Sequence, residues 1–127
     1  MSNQPHIAKA YMLLGCPFCF KFMLFMTEAG LLDQIELVSL DHSSPEYGQV
    51  KAQLEKQAGR AVSFPTVEIE PGVLLSDTKA LIEHYRAQQG LGDRALPVLD
   101  FYEQGLFQNV VNLYKENMSL KEQLKAQ

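Results

Sequence analysis

The chain alternates short apolar runs with amphipathic stretches, a pattern that is typical of an α/β fold. Residues 8–14 are almost wholly apolar and predict a strand that is buried on both faces. Residues 17–29 predict a mostly buried helix, because Pro17 suits the first helical position and Gly30 suits the helix end. Residues 35–40 predict a second strand, so the chain begins β-α-β.

The middle of the chain predicts a helix, a hairpin and a further helix. A serine followed by proline marks the first helix, period-two alternation marks a strand, and a Pro-Gly pair marks a turn. The elements are a helix from Ser44-Pro45 to Ala58-Gly59, a strand over 66–70, a turn at Pro71-Gly72, a strand over 73–75 and a helix from Ser76 or Asp77 to Gly90. The predicted order is β-α-β-α-β-β-α, with one sheet and helices on both of its faces.

The last third of the chain has a helical pattern. Pro97 opens this segment, Gly105 is expected to kink it, and Ser119 with Glu122 forms a capping-box pattern that predicts a short terminal helix. The apolar residues that recur at three or four positions are Leu99, Tyr102, Leu106, Val110 and Leu113. We expect this stripe to cover the sheet rather than to form a dimer face.

Composition and charge limit the classes of protein to which the chain can belong. The 127 residues predict a single domain, 1–127, with a core at about 8–90 and a helical extension at about 96–127. Eleven basic against fifteen acidic residues give a net charge of −4, which argues against nucleic acid as the main partner and against a polybasic membrane anchor. The apolar run 10–26 contains Lys21 and is shorter than the roughly 20 residues of a membrane span. We expect no membrane association and a cytoplasmic location.

The strongest chemical signal is Cys16-Pro17-Phe18-Cys19, which lies where the first strand becomes a helix. Unpaired N–H groups and the helix dipole favour a thiolate at Cys16, the predicted N-cap. Cys19 follows one turn later, close enough to form a disulfide with it, so the pair predicts thiol–disulfide exchange. Structural thiols and a metal site stay open as alternatives, but the chain has no second C-x-x-C and its three histidines are scattered, so we expect no metal.

A second signal, Ser63-Phe64-Pro65-Thr66, places a proline directly before a strand and completes a family resemblance. Three motifs together resemble the glutaredoxins: Cys16-Pro17-Phe18-Cys19 after a strand, Gly59-Arg60 before Phe64-Pro65, and Ser76-Asp77-Thr78 at a helix start. Asp77-Thr78 followed by Ala80-Leu81 is also similar to the thioredoxin-like N-terminal domain of glutathione transferases. The resemblance covers about residues 8–89. It implies a thioredoxin-like α/β fold with a four-stranded mixed sheet, to which this chain adds a C-terminal helical segment.

The resemblance also implies a glutathione site around Cys16. The bond before Pro65 is expected to be cis and to lie against the sulfur, which turns the backbone of Phe64 towards bound glutathione. At the third helix, free N–H groups are expected to bind the α-carboxylate of glutathione and Asp77 its amino group, with plain helix capping as the alternative. The glutathione-binding residues implied are Phe18, Phe64, Pro65, Ser76, Asp77, Thr78 and Arg60, with Lys56 or Gln57 as alternatives to Arg60 for the glycine carboxylate.

Four positions depart from the family pattern. Leu13 stands where many glutaredoxins carry a lysine or arginine, so thiolate stabilisation is expected to depend on the helix terminus, with Lys21 or Lys9 as candidate helpers. Phe64 replaces the usual valine and is expected to narrow the cleft. Leu74-Leu75 replaces the usual glycine pair.

The resemblance implies a glutathione-dependent thiol–disulfide oxidoreductase that serves cell redox homeostasis. Cys16 would be the nucleophile, Cys19 the resolving thiol, glutathione the co-substrate, and protein disulfides or glutathionylated proteins the substrates. Alternatives from other classes are a carrier of a glutathione-ligated 2Fe–2S cluster held between two protomers, a non-catalytic interaction module and a transferase-like enzyme. We expect a monomer or a weak dimer.

Overall fold

Four strands form one mixed sheet in the order β2-β1-β3-β4. The computed structural model describes residues 6–126. Strand β1 (Ala8–Leu13) pairs in parallel with β2 (Ile35–Leu40) and antiparallel with β3 (Thr66–Glu70), which pairs antiparallel with β4 (Val73–Ser76). Because parallel neighbours need a crossover, α1 (Pro17–Glu28) joins β1 to β2. This is the predicted mixed sheet.

The remaining helices follow the predicted order and extend it. They are α2 (Pro45–Ala58), α3 (Thr78–Gln88), α4 (Pro97–Gln104) and α5 (Leu106–Lys125), with a 3-10 turn at Leu32–Gln34 before β2. The N-cap of α3 is Asp77, so Ser76 ends β4 instead. Within residues 6–126, no helix is both long enough and apolar enough to cross a membrane.

Helix starts and ends follow local chemistry. Pro17 and Pro45 occupy first helical positions, where a missing N–H costs no hydrogen bond. The Ser44 hydroxyl accepts from the N–H of Glu46, and Gly59 ends α2 at a φ of 71°, which a residue with a Cβ rarely adopts.

The core lies between α1, α3 and one face of the sheet. Phe22 and Phe25 of α1 are fully buried, and each such ring contributes roughly 1.5–3 kcal/mol relative to an exposed one. The Phe22 ring lies 6.1 Å from that of Tyr85 on α3. Helix α2 lies on the opposite face: its Gln57 amide donates to the Glu68 carboxylate, and Glu68 alternates with the buried Val67 along β3.

The prediction that the first strand is buried on both faces was wrong. Ala8, Ala10 and Met12 are buried beneath α1 and α3, whereas Lys9 between them is exposed. The other face is only partly covered, and Lys9 lies opposite Glu68 in the strand register, where its charge stays at the surface.

The C-terminal helices pack against α1 rather than covering the sheet, which corrects the prediction for this segment. Gly105 (φ −131°, ψ −89°) ends α4 and begins α5, so the helical phase restarts there. Leu99 and Tyr102 are buried as predicted, but Leu106 and Leu113 are exposed and Phe107 is buried in their place. The terminal helix that the capping box predicted does not begin at residue 119, because α5 passes through it without a break.

A carboxylate from α1 caps α4. The two oxygens of Glu28 accept from the backbone N–H groups of Val98 (2.8 Å) and Leu99 (2.9 Å). The N-cap residue Leu96 has no side chain that could do this. Glu28 therefore satisfies two donors that a helix start otherwise leaves unpaired, and it ties α4 to the core.

We expect Glu28→Ala to lower the free energy of unfolding by about 1–2 kcal/mol, the usual cost of losing a helix cap. Urea denaturation followed by circular dichroism would measure it. Glu83→Ala, at an exposed position of α3, is the matched control and should change the free energy of unfolding by less than about 0.5 kcal/mol. Equal effects of both substitutions would contradict the capping role.

Candidate functional site

The two cysteines lie at the start of α1, where the turn after β1 delivers them. Gly15 takes a φ of 82°, and Cys16 is extended (φ −88°, ψ 121°) just before the first helical residue. Cys16 is half-buried and Cys19 is 3% exposed, and both are free thiols. One thiol therefore faces the surface with a second directly behind it, as the motif predicted.

The pKa of Cys16 is lowered from its ordinary 9.0 to about 6. The largest cause is a hydrogen bond from the Cys19 thiol, and the backbone N–H groups of Cys19 and Phe18 lower it further. Burial acts in the opposite direction. Hydrogen bonds within the first turn of the helix therefore favour the Cys16 thiolate.

Cys19 has the opposite character. Its pKa is raised well above the ordinary range, first because its thiol is engaged by Cys16 and then because it is buried. The backbone N–H of Leu13 donates to its sulfur at 3.3 Å. At neutral pH the pair thus consists of one thiolate and one thiol, which is the arrangement that directed disulfide exchange requires.

Phe64-Pro65 lies against the reactive sulfur. The peptide bond is cis, and the Cys16 thiol, when protonated, donates to the Phe64 carbonyl oxygen at 3.9 Å. The Phe64 ring packs on the ring of Tyr47 in α2, with 5.8 Å between the centroids. Its backbone therefore faces the cysteine while its ring contacts α2.

Hydroxyl groups fix the strand that follows the proline. Thr66 is buried, and its hydroxyl donates to the carbonyl oxygen of Ser63. The same hydroxyl lies 2.6 Å from that of Ser76 on β4. Sequence reasoning missed Thr66, although a threonine directly after the proline, opposite a serine, was a usable signal.

The three residues predicted to bind glutathione at the start of α3 differ in whether their side chains face the protein or the solvent. The Thr78 hydroxyl is buried and donates to the Phe18 carbonyl oxygen at 3.1 Å, and the Ser76 hydroxyl is engaged by Thr66. Asp77 is exposed and caps α3 by accepting from the N–H of Lys79 at 3.2 Å, with its own backbone at a φ of 98°. Its carboxylate is the side chain of the three that faces solvent.

The remaining predicted residues lie further out. Phe18 is 44% exposed, beside the first thiol. Arg60 is exposed in the segment after α2, and no contact joins it to the cysteines among residues 6–126. Lys56 is also exposed, whereas Gln57 is engaged with Glu68. The glycine end of the predicted glutathione site is thus not assembled by contacts in this structure.

The thiolate receives no help from a lysine. Lys21, one of the two candidate helpers, pairs with Glu103 at 3.3 Å and lies 4.9 Å from the centroid of the Phe107 ring. Lys9 lies on the sheet opposite Glu68. Neither is among the causes of the lowered pKa of Cys16, so hydrogen bonds take the place of the basic residue that Leu13 replaces. Among residues 6–126, no three His, Cys, Asp or Glu side chains gather in a group that could hold a metal ion.

The strand topology and the position of the two cysteines and the cis proline together identify the type of fold. The resemblance implies a four-stranded mixed sheet, two thiols at the start of the first helix and a cis proline before the third strand, and the structure has all three, with the sheet order β2-β1-β3-β4. The fold is thioredoxin-like.

Comparison with known proteins adds two structures at low similarity. No family model and no curated protein matches the chain. Glutathione transferase Omega 2C from Trametes versicolor is 18% identical over 66% of this chain and 38% of its own, with a TM-score of 0.47. A glutathione transferase homolog from sulfitobacter, crystallised with bound glutathione, is 16% identical over 80% of this chain and 47% of its own, with a TM-score of 0.46. This chain spans less than half the length of either, and the assignment of a thioredoxin-like fold stands on the topology itself.

The C-terminal segment directly contacts the first turn of α1, which carries the two cysteines, and sequence reasoning did not predict this contact. The Tyr102 hydroxyl donates to the Pro17 carbonyl oxygen at 2.9 Å, and the Phe107 ring meets the Phe18 ring edge-on with 5.2 Å between centroids. Burial raises the pKa of Tyr102, as does the charge of Cys16. In this thioredoxin-like fold, the first turn of α1 is thus held by α4 and α5 on one side and by α3 on the other.

A cavity of about 190 Å³ opens beside the two cysteines. The end of β1 and the first turns of α1 form most of its wall, and Leu37 and Ser39 of β2 complete it. The lining is largely apolar, so the cavity suits an apolar group of a molecule bound beside Cys16.

Proposed function

We propose that the protein is a glutathione-dependent thiol–disulfide oxidoreductase with Cys16 as its nucleophile. The observation that carries the proposal is the unequal pair of thiols. Cys16 has a pKa of about 6 and faces the surface, while the pKa of Cys19 is raised and its thiol is buried. A lowered thiol pKa at an accessible helix start is typical of reactive cysteines, whereas buried structural cysteines are inert.

In the first step, the Cys16 thiolate attacks the glutathione sulfur of a mixed disulfide between a substrate and glutathione. The substrate–glutathione S–S bond breaks, the Cys16–glutathione S–S bond forms, and the substrate sulfur leaves as a thiolate that takes a proton from water. A second glutathione, as thiolate, then attacks the bound glutathione sulfur. This releases oxidised glutathione and restores the Cys16 thiolate, which the low pKa makes a good leaving group.

For a protein disulfide, Cys19 completes the exchange. Cys16 attacks one substrate sulfur and forms a mixed disulfide, and the other substrate sulfur leaves. Cys19 then loses its proton and attacks the Cys16 sulfur, which frees the substrate as a dithiol and leaves a Cys16–Cys19 disulfide. Two molecules of glutathione reduce that disulfide and become oxidised glutathione. A cycle that depends on glutathione suits a reducing compartment, so we propose the cytoplasm as its location.

Glutathione would bind between Phe64 and the start of α3. The backbone of Phe64 lies beside Cys16 and offers the hydrogen-bonding groups that an added strand uses. Unpaired N–H groups at the α3 N-terminus suit the α-carboxylate of glutathione, and the exposed Asp77 carboxylate suits its amino group. Arg60 is the proposed partner of the glycine carboxylate.

We expect Asp77→Asn to raise the KM for glutathione about tenfold with little change in kcat, because a charge-assisted contact to the amino group is lost. Asparagine tolerates a positive φ and keeps an oxygen that can cap α3, so stability should be retained. Asp33→Asn, at an exposed residue beyond the far end of α1, is the matched control. An unchanged KM in Asp77→Asn would assign Asp77 to helix capping alone.

The test of the proposal is reduction of a small glutathione mixed disulfide, coupled through glutathione reductase to the oxidation of NADPH. We expect turnover that rises with glutathione concentration. Folded protein that gives no turnover with this substrate, or with a protein disulfide, would contradict it.

A further inference from the structure

The second half of α5 has no packing partner in its own chain. Every residue from 112 to 126 is exposed, although the helix continues to Lys125. The fourteen helical residues 112–125 extend about 21 Å, and isolated helices of this length are marginal in water. Most helices in proteins are stabilised by burying one apolar face, so this segment lacks the contact that would normally support it.

The exposed leucines of this segment lie on one heptad stripe, whereas Tyr114 and Met118 are exposed beside it. The spacing along the stripe is three, four, three and four, which is the a/d seam of a coiled coil rather than the broader face of a core helix. The seam positions are Val110 (a), Leu113 (d), Asn117 (a), Leu120 (d) and Leu124 (a). Leu113, Leu120 and Leu124 are 64%, 51% and 69% exposed, so these leucines are available to a partner helix.

The polar residues of the seam indicate which partner it fits. A single asparagine at an a position favours two strands in parallel register, at a cost in stability. Glu116 is then a g residue and Lys121 the next e residue, so in a parallel pair of identical helices each Glu116 faces the partner's Lys121. In an antiparallel pair, g residues face g residues and e residues face e residues, so this attraction is absent.

We propose that α5 forms a short parallel two-stranded coiled coil with α5 of a second copy of this chain. The seam has fewer than three heptads, so the dimer is weak and depends on protein concentration. Phe107, at the N-terminal end of the same helix, packs on Phe18 beside Cys16. A parallel seam therefore places the Cys16 turns of both copies at the same end of the dimer.

Sedimentation velocity between about 10 µM and about 1 mM protein tests the seam, since weak interfaces dissociate over such a range. We expect the wild-type chain to shift from monomer to dimer and the double variant Leu113→Gln/Leu120→Gln to remain monomeric. Met118→Gln is the matched control, because Met118 is 42% exposed on the same segment but lies off the seam at a b position. It should dimerise like the wild type.

Reversing the charge of Glu116 or Lys121 at low salt tests whether the two helices are parallel, and this test does not depend on the leucines. Glu116→Lys and Lys121→Glu should each weaken self-association by about three- to tenfold, because like charges then face each other. An equimolar mixture of these two variants should associate at least as tightly as the wild type, because opposite charges then face each other again. The proposal would be overturned if the wild type is monomeric at every concentration or if the Leu113→Gln/Leu120→Gln variant still dimerises. It would also be overturned if the charge substitutions leave self-association unchanged. Binding of α5 to phosphatidylglycerol vesicles by a monomeric chain would also overturn the proposal, since the leucine stripe would then face lipid.

Discussion

Replacing Cys16 with serine is expected to lower the rate of reduction of glutathione mixed disulfides by more than about 1,000-fold, because the serine hydroxyl is not ionised at neutral pH. No other thiol takes over, since Cys19 is buried and its pKa is raised. The coupled glutathione assay measures the effect. Cys16 is only half-buried and a serine fits its place, so the variant should fold.

Cys19→Ser is the matched variant, with the same atom exchanged one turn away. It should keep the reduction of glutathione mixed disulfides and lose the reduction of protein disulfides, because only the second route needs an internal resolving thiol. Loss of both activities in Cys19→Ser would exclude the route that uses only Cys16 and glutathione. Activity that survives in Cys16→Ser would exclude Cys16 as the nucleophile.

Alkylation of Cys16 by iodoacetamide is expected to follow a pKa of about 6 instead of the ordinary 9.0. At pH 7 these values correspond to about 90% and about 1% thiolate. Because the pKa is lowered, the rate should be nearly constant above about pH 7 and should fall about tenfold for each pH unit below 6. Mass spectrometry after timed quenching gives the rate, and Cys19 contributes little because its pKa is raised.

The same profile identifies the source of the low pKa. Since the Cys19 thiol is the largest cause of the shift, Cys19→Ala should move the pKa of Cys16 back towards 9.0. Cys19→Ser keeps a hydroxyl donor and should move it less. Equal profiles for the wild type and Cys19→Ala would instead assign the shift to the helix terminus and the backbone N–H groups.

The sheet and its first three helices could be predicted because local signals there agree with the final packing. Pro17, Pro45 and Gly59 act on their own backbone, and their effect needs no tertiary information. The exposure of Lys9 could not be predicted, because it depends on how much of the second sheet face α2 covers.

The C-terminal segment was harder to predict because its phase changes at one residue. A stripe traced through Gly105 as one helix selects Leu106, whereas the break at Gly105 turns Phe107 inward. The Glu28 cap on α4 joins residues 70 positions apart and leaves no local pattern, except that Leu96-Pro97 lacks a capping side chain. Contacts of this kind follow from packing rather than from sequence spacing.

At the candidate site, the motif was enough to predict the two thiols and the proline beside them. It did not show that the Cys19 thiol is the main stabiliser of the thiolate, because that depends on the direction of a hydrogen bond inside the turn. Nor did it show that Thr78 is turned inward to the Phe18 carbonyl. Residue types at a helix start predict a binding site equally well whether their side chains face the ligand or the protein.

The most direct test of the central claim is to trap the glutathionylated enzyme. Cys19→Ser protein would be mixed with a glutathione mixed disulfide, quenched with acid and measured by intact mass and peptide mapping. We expect one glutathione on each chain, attached to Cys16 and removed by added glutathione. Folded protein that acquires no glutathione under these conditions, or carries it anywhere other than Cys16, would contradict the account.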